Sequence, residues 1–281
     1  MEKYMRKKDI LAQKLSAQLE NAEPHEIVKA AIENFKPVAI FSGFSGGFDS
    51  TVCTHWCMNN IPGCEVFSAE TGIGLKATRA HIRNVCFDYG WPYTEIRAKE
   101  DCGQDYDELC IKHGFPGPAL HYKMFQRLKE RPIMRLLKIN KRKRSDNVML
   151  LTGLRKDESI RRGGYKYSVI DFTGNLMYVN PLYYKDHSWF FNYTQEHNLP
   201  ENPIRSVLGM SGECLCGAYA HKGEKALIKI VEPEAYERIC ELENKVRDAG
   251  HSWGWEDAPP KNKTCAKTQD MFMPFCVGCE K

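Results

Sequence analysis

Ser45, Gly46, Gly47, Phe48, Asp49, Ser50 and Thr51 stand between an apolar run ending at Ile40 and a stretch, Thr51 to Asn59, that can be helical. Two glycines in a row let the backbone take positive φ and come close to a ligand, so that several N–H groups surround one anion. A helix beginning at Ser50 and Thr51 adds free N–H groups and the positive end of its dipole. Together they would bind phosphate. A second group follows the apolar run Asn147 to Leu151: Gly153, Arg155, Arg161 and Arg162, where guanidinium groups at a strand end can hold phosphate or sulfate through paired hydrogen bonds. A helix start with Glu158 paired to Arg162 is the plainer reading, and it explains Arg155 poorly. Cys214 and Cys216 form a Cys-x-Cys pair, and Cys276 and Cys279 form a Cys-x-x-Cys pair. Each pair can chelate one ion, and the four thiolates together suit a tetrahedral zinc or a [4Fe–4S] cluster.

The elements that must position these residues can be read from periodicity. Lys7 to Leu19 and Glu26 to Phe35 carry apolar residues at helical spacing. Val38 to Phe41, Cys64 to Ser68, Tyr93 to Arg97 and Asn147 to Leu151 read as strands, with a helix after the glycine turn and another over Leu75 to Tyr89. Strand and helix alternate, which predicts an α/β fold: a parallel twisted sheet with helices on both faces. In such sheets ligands bind beyond the carboxyl ends of the strands. The glycine turn and Glu70-Thr71-Gly72 both stand at such ends and are expected to face one pocket. The expected division is N-terminal helices over 1–36, a nucleotide-binding domain over 37–205, and a small cysteine-cluster module over 206–281.

Composition narrows the class. The chain has 281 residues, enough for a full core, and 42% of them are hydrophobic, as in ordinary globular proteins. No apolar stretch is long enough to span a bilayer, and the first twenty residues are charged and amphipathic, so no membrane partner is expected and the predicted location is cytoplasmic. Twelve cysteines in a reducing compartment point to metal or redox roles before disulfides. Cys53, Cys57 and Cys86 fall on predicted helices and are expected to be small buried residues. The net charge of +4 does not by itself predict nucleic-acid binding. The basic run Lys138 to Arg144 reads first as a solvated helix end, with a nucleic-acid contact as the alternative.

The string Ser45-Gly46-Gly47-Phe48-Asp49-Ser50 after a strand resembles the PP-loop of the N-type ATP pyrophosphatases. The ordered motifs after it resemble the phosphoadenosine phosphosulfate (PAPS) reductase branch and the Dnd-type DNA phosphorothioation enzymes. These are Glu70-Thr71-Gly72, where the family has Asp-Thr-Gly, then Leu128-Lys129-Glu130-Arg131-Pro132, and Gly153-Leu154-Arg155 through Ser159 to Arg162. The resemblance covers roughly Val38 to Gly217. It implies an adenine nucleotide alpha-hydrolase-like fold and an adenine nucleotide, ATP or PAPS-type, on Ser45 to Thr51, Glu70, Thr71, Gly72 and Gly153. Asp49 would then ligate Mg²⁺ if the nucleotide is ATP, with Lys129, Arg155 and Arg162 at its anionic end. It also favours [4Fe–4S] over zinc at the cysteines, and a cysteine desulfurase or thioredoxin-like protein as sulfur or electron donor. No Glu-Cys-Gly-x-His string, the nucleophile motif of PAPS reductases, occurs in the sequence. The expected activity is therefore nucleotide-dependent sulfur transfer or activation. Sulfonucleotide reduction to sulfite is the alternative within the same class, and a non-catalytic nucleotide- or metal-binding regulator is the alternative outside it.

Overall fold

The apolar run ending at Ile40 forms β1 (Ala39–Gly43), reaching two residues further than predicted. The chain is described by a computed structural model over residues 6–118, 121–156 and 169–257. Arg161, Arg162, Cys276 and Cys279 lie outside the described residues. Two helices precede the sheet, α1 (Lys7–Gln18) and α2 (Pro24–Phe35). Proline at the first position of α2 starts it without losing a hydrogen bond, and Ile27, Val28, Ala31 and Phe35 bury one face. Next come α3 (Phe48–Asn60), β2 (Cys64–Glu70), α4 (Lys76–Asp88), β3 (Tyr93–Arg97) and α5 (Tyr106–His113). Asp105 caps α5 by accepting the Asp107 and Glu108 N–H groups.

A helical stretch follows as α6 (His121–Phe125), a π-helical turn (Gln126–Glu130) and α7 (Arg131–Asn140). The sheet is completed by β4 (Val148–Leu151), β5 (Ile170–Thr173) and β6 (Leu176–Val179). The remaining helices are α8 (His187–Glu196), α9 (Arg205–Leu208), α10 (Glu224–Val231) and α11 (Pro233–Asp248).

Among the described residues the strands form one sheet in the order β3-β2-β1-β4-β6-β5, with helices on both faces. β1 runs parallel to β2 and β4, and β4 runs parallel to β6. β4 and β6 are buried at every position, which is why both read as unbroken apolar runs. The expectation of a parallel sheet is corrected at one edge, where β5 is antiparallel to β6. The two are joined through Gly174 and Asn175, and Gly174 takes the positive φ (64°) that such a tight turn demands. Ser16 Oγ accepts from Ile170 N at 3.1 Å and donates to Ile170 O at 3.2 Å, which satisfies part of this edge strand's outer backbone.

The chain packs as two compact units. The first holds the described residues of Met1–Ser68, Cys86–Thr94 and Met134–Pro200, and the second those of Ala69–Val85, Glu95–Ile133 and Glu201–Lys281. The core of the first is built from Ile27, Ala31, Val52, Trp56, Met149 and Val179 with their neighbours. Leu75, Tyr106, Leu128, Leu215, Leu242 and Trp255 anchor the second.

Candidate functional site

In the first unit, β1 hands over to the glycine turn through Phe44, whose N–H bonds to Phe67 O at 2.8 Å. Ser42 Oγ lies 3.0 Å from Thr54 Oγ1 in the interior, fixing the strand against α3. Gly46 has φ of 69°, a conformation that glycine takes at no cost. The helix begins at Phe48, earlier than the sequence predicts, so Phe48, Asp49 and Ser50 all belong to its first turn. The turn closes on one oxygen: Ser50 Oγ accepts from Ser45 N at 3.3 Å, Gly47 N at 3.1 Å and Ser45 Oγ at 3.1 Å, and donates to Gly47 O at 2.9 Å. Thr51 Oγ1 donates to the same carbonyl at 2.9 Å. Two backbone N–H groups thus already point at an oxygen inside the loop, the arrangement an anion-binding nest requires.

Gly153 follows β4 and lies against this helix start. A Cβ there would stand 2.6 Å from Asp49 O, so only glycine fits. Two residues on, Arg155 is 8% exposed, and its Nε lies 3.1 Å from Asp49 Oδ1 while Nη2 reaches Oδ2 at 3.4 Å. Its guanidinium also sits 5.1 Å from the centre of the Phe190 ring on α8. The structure therefore brings together Ser45, Gly46, Gly47, Phe48, Asp49, Ser50, Thr51, Gly153 and Arg155. It also engages both oxygens of Asp49 with a guanidinium. Asp49, the expected Mg²⁺ ligand, is thus paired with Arg155 in this arrangement.

Glu70, Thr71, Gly72 and Lys129 belong to the second unit. Glu70 Oε1 accepts from Gly72 N at 2.7 Å and lies 3.8 Å from Arg79 Nε. Arg79 Nη2 bonds Glu213 Oε1 at 2.5 Å and Ala69 O at 2.9 Å. Lys129 Nζ lies 3.1 Å from Glu213 Oε2, and Thr71 Oγ1 donates to Glu213 O at 3.0 Å. Glu213 is 3% exposed, so this is a buried network of two cations and two carboxylates. A cleft of about 600 Å³ opens in the same unit, lined by Glu70, Gly72, Arg79, Tyr106, Leu215 and Arg238 among others. Arg79 and Glu213 were missed by sequence reasoning. Glu213 adjoins Cys214 in sequence, but nothing in periodicity pairs it with Arg79.

Glu213 leads directly into the Cys-x-Cys loop. That loop is held at Leu215, whose carbonyl accepts from Trp255 Nε1 at 2.9 Å, and at Cys216, whose carbonyl accepts from Tyr106 Oη at 3.0 Å. Cys216 is buried and Cys214 half-buried. Among the described residues, no cluster of three or more His, Cys, Asp or Glu side chains gathers around a point suited to a metal. Cys214 and Cys216 are half of the expected four-thiolate set. Cys53, Cys57 and Cys86 are buried, as expected of small core residues. Burial pushes the Cys64, Cys86 and Cys110 thiols up to about 12, so they stay protonated at neutral pH and are poor thiolate donors.

A family model described as the phosphoadenosine phosphosulfate reductase domain matches residues 39–207, well over half of the chain. No curated protein matches. Among solved structures, the PAPS reductase from Candida auris, in a phosphate complex, has a TM-score of 0.53 at 20% identity. The match covers 74% of this chain and 94% of that one, and at this identity the likeness concerns fold alone. The NH3-dependent NAD synthetase from Campylobacter jejuni gives 0.45 at 18% identity, covering 84% of this chain and 93% of that one. The U34-tRNA thiolase from Methanococcus maripaludis, with its [4Fe–4S] cluster, gives 0.40 at 15%, covering 86% and 85%.

Proposed function

The chain belongs to the phosphoadenosine phosphosulfate reductase domain family, and on that footing we propose that it is a PP-loop enzyme that binds an adenine nucleotide and uses it for sulfur transfer or activation. The observation that carries this reading is the convergence of the Ser45 and Gly47 N–H groups on one oxygen beside the Asp49–Arg155 pair. A phosphate oxygen takes the place of Ser50 Oγ at those N–H groups. The start of α3 adds its free N–H groups and dipole. Arg155, oriented by Asp49 and by the Phe190 ring, places its positive charge at the anion. Gly153 lets this strand end approach the loop closely enough for that contact. ATP is the favoured nucleotide, with a PAPS-type nucleotide as the alternative.

Cys214 and Cys216 are proposed as two thiolate ligands, with Cys276 and Cys279 as the other two. A [4Fe–4S] cluster so held supplies bound sulfur or electrons when present.

Incubating the protein with ATP, Mg²⁺ and candidate acceptors is expected to release AMP and pyrophosphate. The Gly46→Ala variant, strained at φ of 69°, is expected to lose nucleotide affinity by tenfold or more, on the order of 1.4 kcal/mol. Absence of nucleotide binding by calorimetry would sink the proposal. The second reading, favoured by the family description, is reduction of an adenylylated sulfate. In it a reductant thiolate attacks sulfur, the nucleotide leaves, and a second thiol completes a disulfide as sulfite departs. Sulfite release from PAPS with a dithiol protein, in the absence of any AMP formed from ATP, selects that reading.

A further inference from the structure

The basic run Lys138 to Arg144, expected as a solvated helix end with a nucleic-acid contact as the alternative, is the densest part of a longer cationic segment. From Arg131 to Arg144 there are seven Lys and Arg and no Asp or Glu, so this segment carries +7 where the whole chain carries +4, leaving −3 on everything else. In the first unit Arg135 and Lys138 lie exposed on α7, and Arg142, Lys143 and Arg144 lie exposed on the turn that follows. None of these five is in an ion pair among the described residues.

The turn is built rather than left to solvent. Asp146 Oδ2 accepts from Arg142 N at 3.0 Å and Lys143 N at 2.7 Å, and these bonds, with the Lys143 and Lys141 charges nearby, hold its carboxyl below the usual range. Lys141 Nζ donates to Arg144 O at 2.9 Å, and Asn175 Nδ2, from the hairpin turn, donates to the same carbonyl at 2.7 Å. A further cation comes in from α1: Lys8 Nζ bonds Asn147 Oδ1 at 3.1 Å and Asn175 Oδ1 at 2.8 Å. Burial holds the Lys8 ammonium below the usual lysine range, with repulsion from Arg6 adding to it and a smaller one from Lys141. Three separate elements therefore converge to make one positive corner.

Its position is equally informative. The turn precedes β4, and the hairpin turn precedes β6, so the corner lies at the amino ends of these strands. The glycine turn and Arg155 lie beyond the carboxyl ends of β1 and β4. The four residues of β4 alone separate the two by about 13 Å.

We propose that this corner docks the sugar–phosphate backbone of a nucleic acid, at the opposite end of the sheet from the phosphate-binding turn. A row of cations, five of them in no ion pair among the described residues, matches a polymer of regularly spaced phosphates, and arginine's planar donors suit phosphate oxygens. The contacts are to backbone, so they position the polymer without reading its sequence.

Fluorescence anisotropy with a short labelled RNA strand and a short labelled DNA duplex tests this. Five phosphate contacts predict that log K falls against log salt with a slope of about −3.5 to −4.5. Combining Lys138→Ala, Arg142→Ala, Lys143→Ala and Arg144→Ala is expected to weaken binding by about tenfold or more and to flatten the slope by roughly one per residue removed. An unchanged melting temperature and unchanged ATP binding in that variant show that the fold and the other site are intact. Gly46→Ala is expected to leave nucleic-acid binding untouched, so the two sites fail separately. The proposal is overturned if neither probe binds at low salt, if the fourfold variant binds like the parent, if saturating ATP displaces the probe, or if only anionic vesicles or an acidic peptide bind.

Discussion

Among single residues, Gly153 and Glu213 make the sharpest predictions. Gly153→Ala forces a methyl against the Asp49 carbonyl at 2.6 Å, and backbone rather than a flexible side chain is what must give way. The expected cost is about 1 to 3 kcal/mol in denaturant unfolding, together with weakened nucleotide binding. Glu213→Gln removes the charge that holds both Arg79 and Lys129, and about 3 to 5 kcal/mol of stability should go with it. Glu234→Gln, on the exposed pair with Lys76, should change nothing measurable in the same experiment. Equal effects from the two variants would show that burial of Glu213 does not matter. Asp49 and Arg155 stood out in the sequence because glycine turns and strand-end arginines carry local signals. Glu213 and Arg79 did not, since an ion pair 134 residues apart leaves no trace in spacing.

The elements differ in how openly they are written. α2, β1 and β4 follow from apolar periodicity and a proline or glycine at the right place. The β5–β6 hairpin was missed, although Gly174-Asn175 between Ile170–Thr173 and Leu176–Val179 is itself a hairpin signal. Unlike the equally short β4, β5 carries only two apolar residues, Ile170 and Phe172, too few to stand out from the surrounding loop. The packing of α3 onto α8 has a pH consequence. His55 lies 3.0 Å from Tyr193 Oη, beside Asn59, His197, Tyr89 and Trp91, and burial, with repulsion from His197, pushes its imidazole down to about 4. The unfolded chain takes up a proton near pH 6.5 that the folded chain refuses, so stability is complete above that pH and declines as pH falls from about 6.5 towards 4. His55→Gln should flatten the decline, read as denaturation midpoints between pH 7.5 and 5. His81, also held low by burial, leaves a residual slope in both proteins. Parallel midpoint curves for parent and variant would clear His55 of the effect.

For the molecule as a whole, the α/β class and the sheet with helices on both faces were legible, because alternation of strand and helix is a property of the entire chain. Compactness in space is a different property from order along the chain. The compact units interleave along the sequence, with α4 and α7 passing from one to the other, whereas sequence reading divides a chain into consecutive blocks. The cysteine reading also belongs to this scale, since it joins Cys214 and Cys216 to residues some sixty positions later. Cys214→Ala should lower the metal content of anaerobically purified protein, while Cys53→Ala, at a buried helix position, should leave it unchanged. Iron measured by absorbance and elemental analysis separates the cluster from zinc. Equal metal content in both variants would remove Cys214 from the ligand set.

The π-helical turn at Gln126–Glu130 has one more implication, for how this protein can change over evolutionary time. The extra residue in the turn puts Leu128 and Lys129, neighbours in sequence, both in the interior. Loss of a single codon there would restore ordinary α-geometry and rotate everything on one side of it by about 100° relative to the other. Lys129 would then turn away from Glu213. A lineage shedding that residue would have to refit the buried charges in the same step, so insertions and deletions should be rarer here than point changes.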